Sequence, residues 1–273
     1  MKKSILLIAV FCLSMAGVAQ EKEWKIALHF DPNISWMKPN DKNIESGSNK
    51  MKFGFGIMID KMFTDNYAFG TGFNIIRTGG ELSYFYTGGY KKEGATSNTE
   101  IVAERMRTYN LQYIEIPLTL KLRTNEIGYI TYWAQMGIGL GFNIKAQADD
   151  ETTYRLEKVV IADDPSTPDV DEASTTWENA TIKQSSVEEV DIKDDIGVFR
   201  TSLIIGAGIE YNLSGDASIL AGITFNNGFN NILTSEGVLK TEAGNPDIFN
   251  RVPQKFELNS INNFLSLNIG FLF

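Results

Sequence analysis

The sequence is nearly devoid of the side chains that cross-link chains, bind transition metals or act as sulfur nucleophiles. It has one cysteine and one histidine among 273 residues. Cys12 lies in a segment that we expect to be removed, so the mature chain would have no disulfide and no cysteine nucleophile. With His29 as its single imidazole, the chain is not expected to hold zinc, and we predict no cofactor.

Long hydrophobic runs are absent except at the start. Lys2 and Lys3 precede an apolar run over residues 5–15 and the small residues at 17–19, a pattern typical of a secretory signal peptide. We therefore predict a signal peptide over residues 1–19 and one barrel domain over residues 20–273. No later run approaches the roughly 20 apolar residues of a spanning helix, so any membrane crossing would have to use strands.

Positive charge is also scarce. The formal net charge is -9, which argues against nucleic acid as a partner because phosphate binding needs a basic face. Acidic residues concentrate between Asp149 and Asp195, which we interpret as a long extracellular loop. Asp163, Asp164, Asp169, Asp171 and Glu172 of this loop could bind calcium, but the glycine and the final glutamate of a calcium loop are missing, which favours a solvated loop.

The clearest pattern present is a hairpin over residues 110–146. In its first arm, apolar residues at even positions from Ile114 to Leu122 alternate with Glu115, Lys121 and other residues. The second arm, from Ile130 onwards, repeats this period of two, which only an extended strand can use. Each arm is longer than the roughly 9 to 11 residues that a tilted strand needs to cross a bilayer.

The whole chain contains eight such stretches, joined alternately by short turns and long loops. Short turns follow Met62, Arg123 and Leu213, and long loops follow Trp36, Thr78, Ala146 and Asn230. This alternation predicts an all-β fold, an eight-stranded antiparallel up-and-down transmembrane β-barrel with short periplasmic turns and long extracellular loops. Both termini would then lie in the periplasm.

The polar rows of these strands are predicted to face the lumen. Eight strands enclose a space that side chains can fill, and buried charges need partners, so we expect a filled polar lumen and no diffusion pore. The residues predicted to form this structural network are His29, Asp60, Glu115, Lys121, Arg123, Gln135, Asn143, Lys145, Arg200 and Glu210. A soluble lipocalin-like barrel, with its apolar face inward around a ligand, is the alternative.

Aromatic residues fall near the predicted strand ends, as interfacial girdles require. The periplasmic girdle is predicted to contain Tyr67, Tyr129, Tyr132, Tyr211, Phe271 and Phe273, and the outer girdle Trp36, Tyr109 and Tyr113.

The only enzymatic alternative centres on His29. A small outer-membrane barrel could modify lipid with a histidine that is paired to a serine or an acid. His29 falls mid-strand on the predicted lumen face, which favours a core histidine instead.

Four segments resemble the PorT-like outer-membrane β-barrel family of Bacteroidota: YIEIPLTLKLR (residues 113–123), GIGLGFNIKA (137–146), the run over residues 204–229 and the terminal SLNIGFLF. The resemblance implies an eight-stranded outer-membrane barrel. The named family member is linked to type IX protein secretion, but no functional residues carry over.

Together these observations predict a non-enzymatic outer-membrane barrel that is a structural or interaction module, with specificity in its long loops. Its expected partners are outer-membrane lipid and a protein bound through the extracellular loops, in a role accessory to protein secretion or surface assembly. We expect a monomer.

Overall fold

A computed structural model describes residues 24–90, 99–156, 181–215, 217–239 and 255–273. The predicted signal peptide therefore lies outside the described residues. Within them, no helix is long and apolar enough to cross a membrane.

Eight long strands dominate the fold, and each pairs antiparallel with the next along the chain. The last of them also pairs with the first, from Ala27 opposite Leu272 to Pro39 opposite Ser260, so the sheet closes on itself. The predicted eight-stranded antiparallel barrel is confirmed. Its strands are β1 (Trp24–Pro39), β3 (Lys50–Thr64), β4 (Tyr67–Tyr90), β5 (Thr99–Arg123), β6 (Ile130–Leu156), β8 (Phe199–Ser214), β9 (Ala217–Gly228) and β12 (Ser260–Leu272).

Four shorter strands lie in the long connections, where the sequence predicted loops. They are β2 (Glu45–Ser46), β7 (Thr181–Asp191), β10 (Glu236–Val238) and β11 (Lys255–Glu257). β7 pairs with the upper part of β6, and β10 pairs with β11. The long loop predicted after Thr78 is instead strand over residues 79–90 and 99–106. Within the acidic segment, residues 157–180 lie outside the described residues.

The two faces of the barrel wall differ sharply in polarity. Ile205 is 47% exposed on the outside, whereas Lys121 is 1% and Glu210 is 2% exposed on the inside. A soluble barrel around a hydrophobic ligand would show the opposite arrangement, so the lipocalin-like alternative is wrong. The outer apolar surface, which we call the apolar band, includes Phe30, Ile34, Phe55, Phe73, Leu120, Met136, Ile138, Phe142, Ile205, Ile223, Leu265 and Ile269.

One end of the barrel contains the start of β1, the end of β12 and the tight turns, and we call it the short-turn end. Gly128 and Gly215 adopt positive φ of 69° and 59° in two of these turns, a conformation that glycine enters without a steric cost. Exposed aromatic side chains surround this end as predicted: Tyr67, Tyr129, Tyr132, Tyr211, Phe271 and Phe273.

At the other end, the long-loop end, the barrel narrows abruptly at a place we call the neck. A side chain at Gly80 would place its Cβ 2.5 Å from the backbone nitrogen of Met37, so β4 crosses β1 in near contact. Asn262 of β12 donates a hydrogen bond to the carbonyl of Gly79 (3.1 Å) and accepts one from the Thr78 hydroxyl (2.7 Å). Because β4 touches β1 and β12 here, the lumen below is closed from above.

Above the neck, the strands continue as a folded unit that we call the cap. It contains residues 79–90 of β4, 99–111 of β5 and 146–156 of β6, together with residues 181–198, 229–239 and 255–259. An apolar core holds it together, centred on Met37, Leu82, Tyr84, Tyr109, Leu111, Ala148, Ile192, Ile232 and Leu258.

Candidate functional site

The lower lumen holds a four-residue ion cluster. Lys121 on β5 donates to Asp60 on β3 (2.7 Å) and lies 3.3 Å from Glu210 on β8. Arg123, two residues further along β5, also pairs with Glu210. The sequence predicted these four residues as lumen partners, and the barrel curvature brings them together from three strands. Trp133 covers the cluster, with the Lys121 ammonium 5.1 Å from its ring centroid.

A second cluster lies higher, just below the neck. Arg200 on β8 donates to Glu115 on β5 (3.1 Å) and to the backbone carbonyl of Asn262 (3.0 Å). Asn226 on β9 bonds both the guanidinium of Arg200 (2.5 Å) and the carboxylate of Glu115 (3.3 Å). Arg200 and Glu115 are about 2% exposed. In a buried pair of this kind, the mutual attraction offsets the cost of desolvation only when such additional hydrogen bonds are present.

Glycine makes room for these long side chains at one position in particular. A Cβ at Gly139 of β6 would lie 2.8 Å from a carboxylate oxygen of Glu115 and 2.7 Å from the Ser202 hydroxyl. The polar network therefore occupies the space that a side chain at this position of β6 would fill.

His29 lies in the lumen between the two clusters. Its Nδ1 is 2.7 Å from Asp31, whose second oxygen accepts a hydrogen bond from Asn268 (2.8 Å). Asn268 in turn accepts one from Thr224 (2.6 Å). His29 is thus paired to an acid, one of the two pairings that the enzymatic alternative names, and among the described residues no serine or threonine hydroxyl bonds to its ring.

A cavity of about 60 Å³ lies beside this histidine, bordered by Gln135, Asn74, Thr119 and Trp133. Such a volume holds roughly four to six water molecules. Trp133, which covers the lower ion cluster, is one of its lining residues, and the neck lies above it. In the described part of the chain, the lumen therefore contains polar side chains around a small cavity, and no wide channel.

Two members of the predicted network lie elsewhere. The β5–β6 pairing shifts register next to Tyr113, where Ile144 of β6 has no partner. This bulge reverses which residues of β6 face inward, so Lys145 is exposed on the outer surface and the prediction that it faces the lumen is wrong. Asn143 beside the bulge is half-buried and bonds the backbone carbonyl of Lys145 (3.4 Å), outside both ion clusters.

The cap contains a further buried ion group that the sequence did not predict. Arg107 on β5 donates to both oxygens of Asp150 on β6 (2.6 and 2.7 Å) and to Asp195 (2.7 Å). Asp195 ends a single 3-10 turn, Lys193–Asp195, that follows β7. Burial alone would lower the pKa of Arg107, but Asp150 and the hydroxyls of Tyr84 and Tyr109 raise that pKa above its ordinary value. Arg107 therefore stays charged and links β5 and β6 to the segment after β7 through its ion pairs.

The two tyrosines predicted for the outer girdle belong to this interior. Tyr109 is 0% and Tyr113 is 2% exposed, so that prediction is wrong. The third predicted residue, Trp36, does belong to the aromatic surface at this level, where it stacks on Phe225 at 6.2 Å, and Phe142 packs against Phe199 at 4.8 Å. Tyr109 and Tyr113 sit at odd positions of β5, as do the lumen residues Glu115 and Lys121, and this shared parity was the signal available in the sequence.

Polar residues cover the outside of the cap. Glu81 accepts hydrogen bonds from Lys50 (2.9 Å) and Thr108 (3.3 Å), and Asn110 donates to Asp149 (3.1 Å). Residues 184–189 of β7 are exposed, including Val187 at 52%. Within the described ranges, no three acidic, cysteine or histidine residues are grouped to hold a metal ion. The predicted calcium alternative at 163–172 lies outside those ranges.

A family model described as the outer membrane protein beta-barrel domain matches residues 18–234. The chain belongs to this family. The apolar band of this outer-membrane barrel is accordingly its lipid-facing surface, and the polar clusters lie inside the membrane. A search of curated proteins finds no match.

Among solved structures, the barrel is similar to Neisserial surface protein A (8% identity, TM-score 0.40, covering 90% of this chain and 95% of that one). It is also similar to Ail of Yersinia pestis (14%, 0.34, 92% and 99%) and to the outer membrane protease OmpT of Escherichia coli (9%, 0.32, 93% and 97%). At these identities and scores, the likenesses carry no argument about function.

Proposed function

We propose that this outer-membrane barrel is a non-enzymatic structural and interaction module, whose lumen is a polar core and whose cap presents a binding surface. The observation that carries the proposal is the cap itself. Strands β4, β5 and β6 continue beyond the apolar band into an ordered sheet with its own core. Such rigid extension of a scaffold is the usual way in which loops and edges are positioned for recognition.

The arrangement of the lumen supports the same proposal. Its charged residues pair with one another in two clusters, and the neck closes the space above them. A conducting barrel needs a continuous aqueous path. In planar bilayers we expect the purified protein to show no large steady conductance, and a stable wide channel would contradict a structural lumen.

We further propose that the short-turn end, with both termini, faces the periplasm and that the cap lies outside the cell. The mature chain as predicted lacks cysteine, so single cysteines can report the orientation. Gln147→Cys in the cap should react with an impermeant maleimide on intact cells, while Glu126→Cys at the short-turn end should react only after the outer membrane is opened. The reverse labelling pattern would contradict the orientation.

The exposed edge strand β7 is the proposed contact site for a protein partner. An edge strand offers unpaired backbone groups to which an extended segment can add. A photo-crosslinking residue in place of Val187 should capture a discrete partner on cells. The same residue in place of Glu126 is the matched control, and equal capture at both positions would contradict a cap-specific partner.

The resemblance to PorT-like barrels supports a narrower proposal, that this partner belongs to protein secretion or surface assembly. Deleting the gene should then deplete a defined set of surface proteins, and restoring it should bring them back. An unchanged surface proteome would contradict this role.

The enzymatic alternative is tested separately at His29. A lipid-modifying barrel would leave a mass change in membrane lipids that disappears in the His29→Ala variant. We expect the lipid profile to be the same with the native chain, with His29→Ala and without the gene.

A further inference from the structure

The outer surface of β4, β5 and β6 changes character in a series of rows that the strand register defines. Ile75, Ile114 and Phe142 are paired across the three strands and form the last apolar row. The next row toward the cap contains Arg77, Gln112 and Lys145. Above it come Gly79, Asn110 and Gln147, and then Glu81, Thr108 and Asp149. The basic row therefore lies where the apolar band ends.

Both cations of this row point outward. Arg77 and Lys145 are exposed, and Leu111 next to Gln112 is buried in the cap core, so Gln112 also faces outward. Neighbouring strands lie about 4.8 Å apart, which places the backbones of Arg77 and Lys145 roughly 10 Å from each other. Arg77 is held at this level because its guanidinium carbon lies 4.7 Å from the ring centroid of Phe53, itself part of the exposed apolar surface.

These two cations have no acidic partner in the part of the chain that the structure describes, although carboxylates are close. Glu81 is bonded by Lys50 and Thr108, and Asp149 by Asn110 and by the backbone amide of Glu189 (2.9 Å). Thus the acidic residues two rows above are already engaged, while the charge of the basic row is uncompensated and faces the headgroup level of the membrane.

We propose that Arg77, Gln112 and Lys145 bind the phosphate of an anionic membrane lipid whose acyl chains lie on the apolar band below them. An arginine and a lysine with an amide between them supply several N–H donors to phosphate oxygens. The row beneath, with Ile75, Ile114 and Phe142, supplies the apolar surface that the chains of the same molecule would cover. Charge and apolarity are thus stacked in the order in which a phospholipid or lipid A presents its phosphate and its chains.

The test uses the full mature chain in nanodiscs of phosphatidylcholine that contain a small fraction of lipid A or of phosphatidylglycerol. The protein is released gently from the nanodiscs, and native mass spectrometry counts the lipid molecules that stay bound to it. The Arg77→Gln/Lys145→Gln variant is compared with Lys42→Gln/Lys193→Gln, which loses the same charge at exposed positions outside the row. With about 1 kcal/mol for each basic residue near a charged lipid surface, we expect roughly 30-fold weaker retention for the first variant. The control should retain lipid like the native chain.

Three results would overturn the proposal: equal retention of phosphatidylcholine, equal loss in the control variant, or displacement by millimolar inorganic phosphate alone. The swapped variant Arg77→Lys/Lys145→Arg keeps the charge and should keep the lipid, which separates a binding defect from a folding defect. Comparison of lipid A with phosphatidylglycerol identifies the headgroup. None of these readouts depends on which compartment the cap faces or on a protein partner.

Discussion

The barrel below the neck and the cap above it are built from the same strands with opposite polarity. Below the neck, charged residues such as Lys121 and Arg200 are inside and the apolar band is outside. In the cap, Leu82, Tyr109 and Ala148 are inside, and polar residues such as Glu81 and Asp149 are outside. The barrel wall thus separates charged side chains from hydrocarbon, and the cap surface separates apolar side chains from water.

β5 shows this reversal within one uninterrupted strand. Its odd-numbered residues face inward throughout, from Tyr109 and Leu111 in the cap to Glu115 and Lys121 in the lumen, and the paired Arg107 is the one charged exception among those named in the cap. The direction of the side chains never changes, and only their chemistry does. The lesson is that the medium outside the wall sets the polarity of each face, because every apolar surface must avoid water and every charge must avoid hydrocarbon.

The largest effect is expected from unpairing a charge in the lumen. Lys121→Met leaves Asp60 without its cation inside the membrane and should lower the free energy of unfolding by about 3 to 5 kcal/mol. Denaturant unfolding in lipid vesicles measures the change. The double variant Lys121→Met/Asp60→Asn removes the unpaired carboxylate and should regain part of the loss; no recovery would argue against this pairing.

The cap interior should respond to lost apolar volume instead. Leu82 is completely buried there, and Leu82→Ala should cost about 2 to 5 kcal/mol. Because the loss is local, amide hydrogen exchange should rise in the cap and stay unchanged in β8 and β9. Uniform acceleration over the whole barrel would show that cap and barrel unfold as a single unit.

The same positive charge, introduced at two positions along the outer face of β6, tests where that face stops contacting lipid. Ile138→Arg in the middle of the apolar band should cost about 2 to 4 kcal/mol, since the cation must enter hydrocarbon. Gln147→Arg, higher on β6 and facing water, should change stability by less than about 0.5 kcal/mol. Equal effects in vesicles would contradict the boundary drawn between them.

The smallest effect concerns pH at the outside of the cap. Burial acts to raise the pKa of Glu81, but hydrogen bonds from Lys50 and the Ser48 amide outweigh it and lower that pKa. A lowered folded-state pKa means that the stabilisation is present above the unfolded-state pKa and is lost as pH falls through the folded one. Exchange of the Gly47 and Ser48 amides, corrected for intrinsic rates, should therefore accelerate in acid. In Glu81→Gln this acid-dependent step should be absent.

Much of the lumen was predictable from residue parity. The period of two placed Asp60, Glu115, Lys121 and Glu210 on one face, and the closed barrel brought those faces together. The outward position of Lys145 was not predictable. A one-residue bulge at Ile144 reverses which of the later residues of β6 face inward, and the alternation of apolar and polar residues does not show it. The inward positions of Tyr109 and Tyr113 were missed because aromatics near strand ends suit a girdle and a buried core equally well.

By itself the sequence determined the strand count, the alternation of short and long connections, and which rows are apolar, because these follow from local periodicity and turn chemistry. Only the tertiary structure decided where the wall stops facing lipid, how Gly79 and Gly80 let β4 close the neck against β1, and that Arg107 ties the cap together. These features depend on contacts between residues far apart in the chain, and the spacing of residues along one strand contains no record of them.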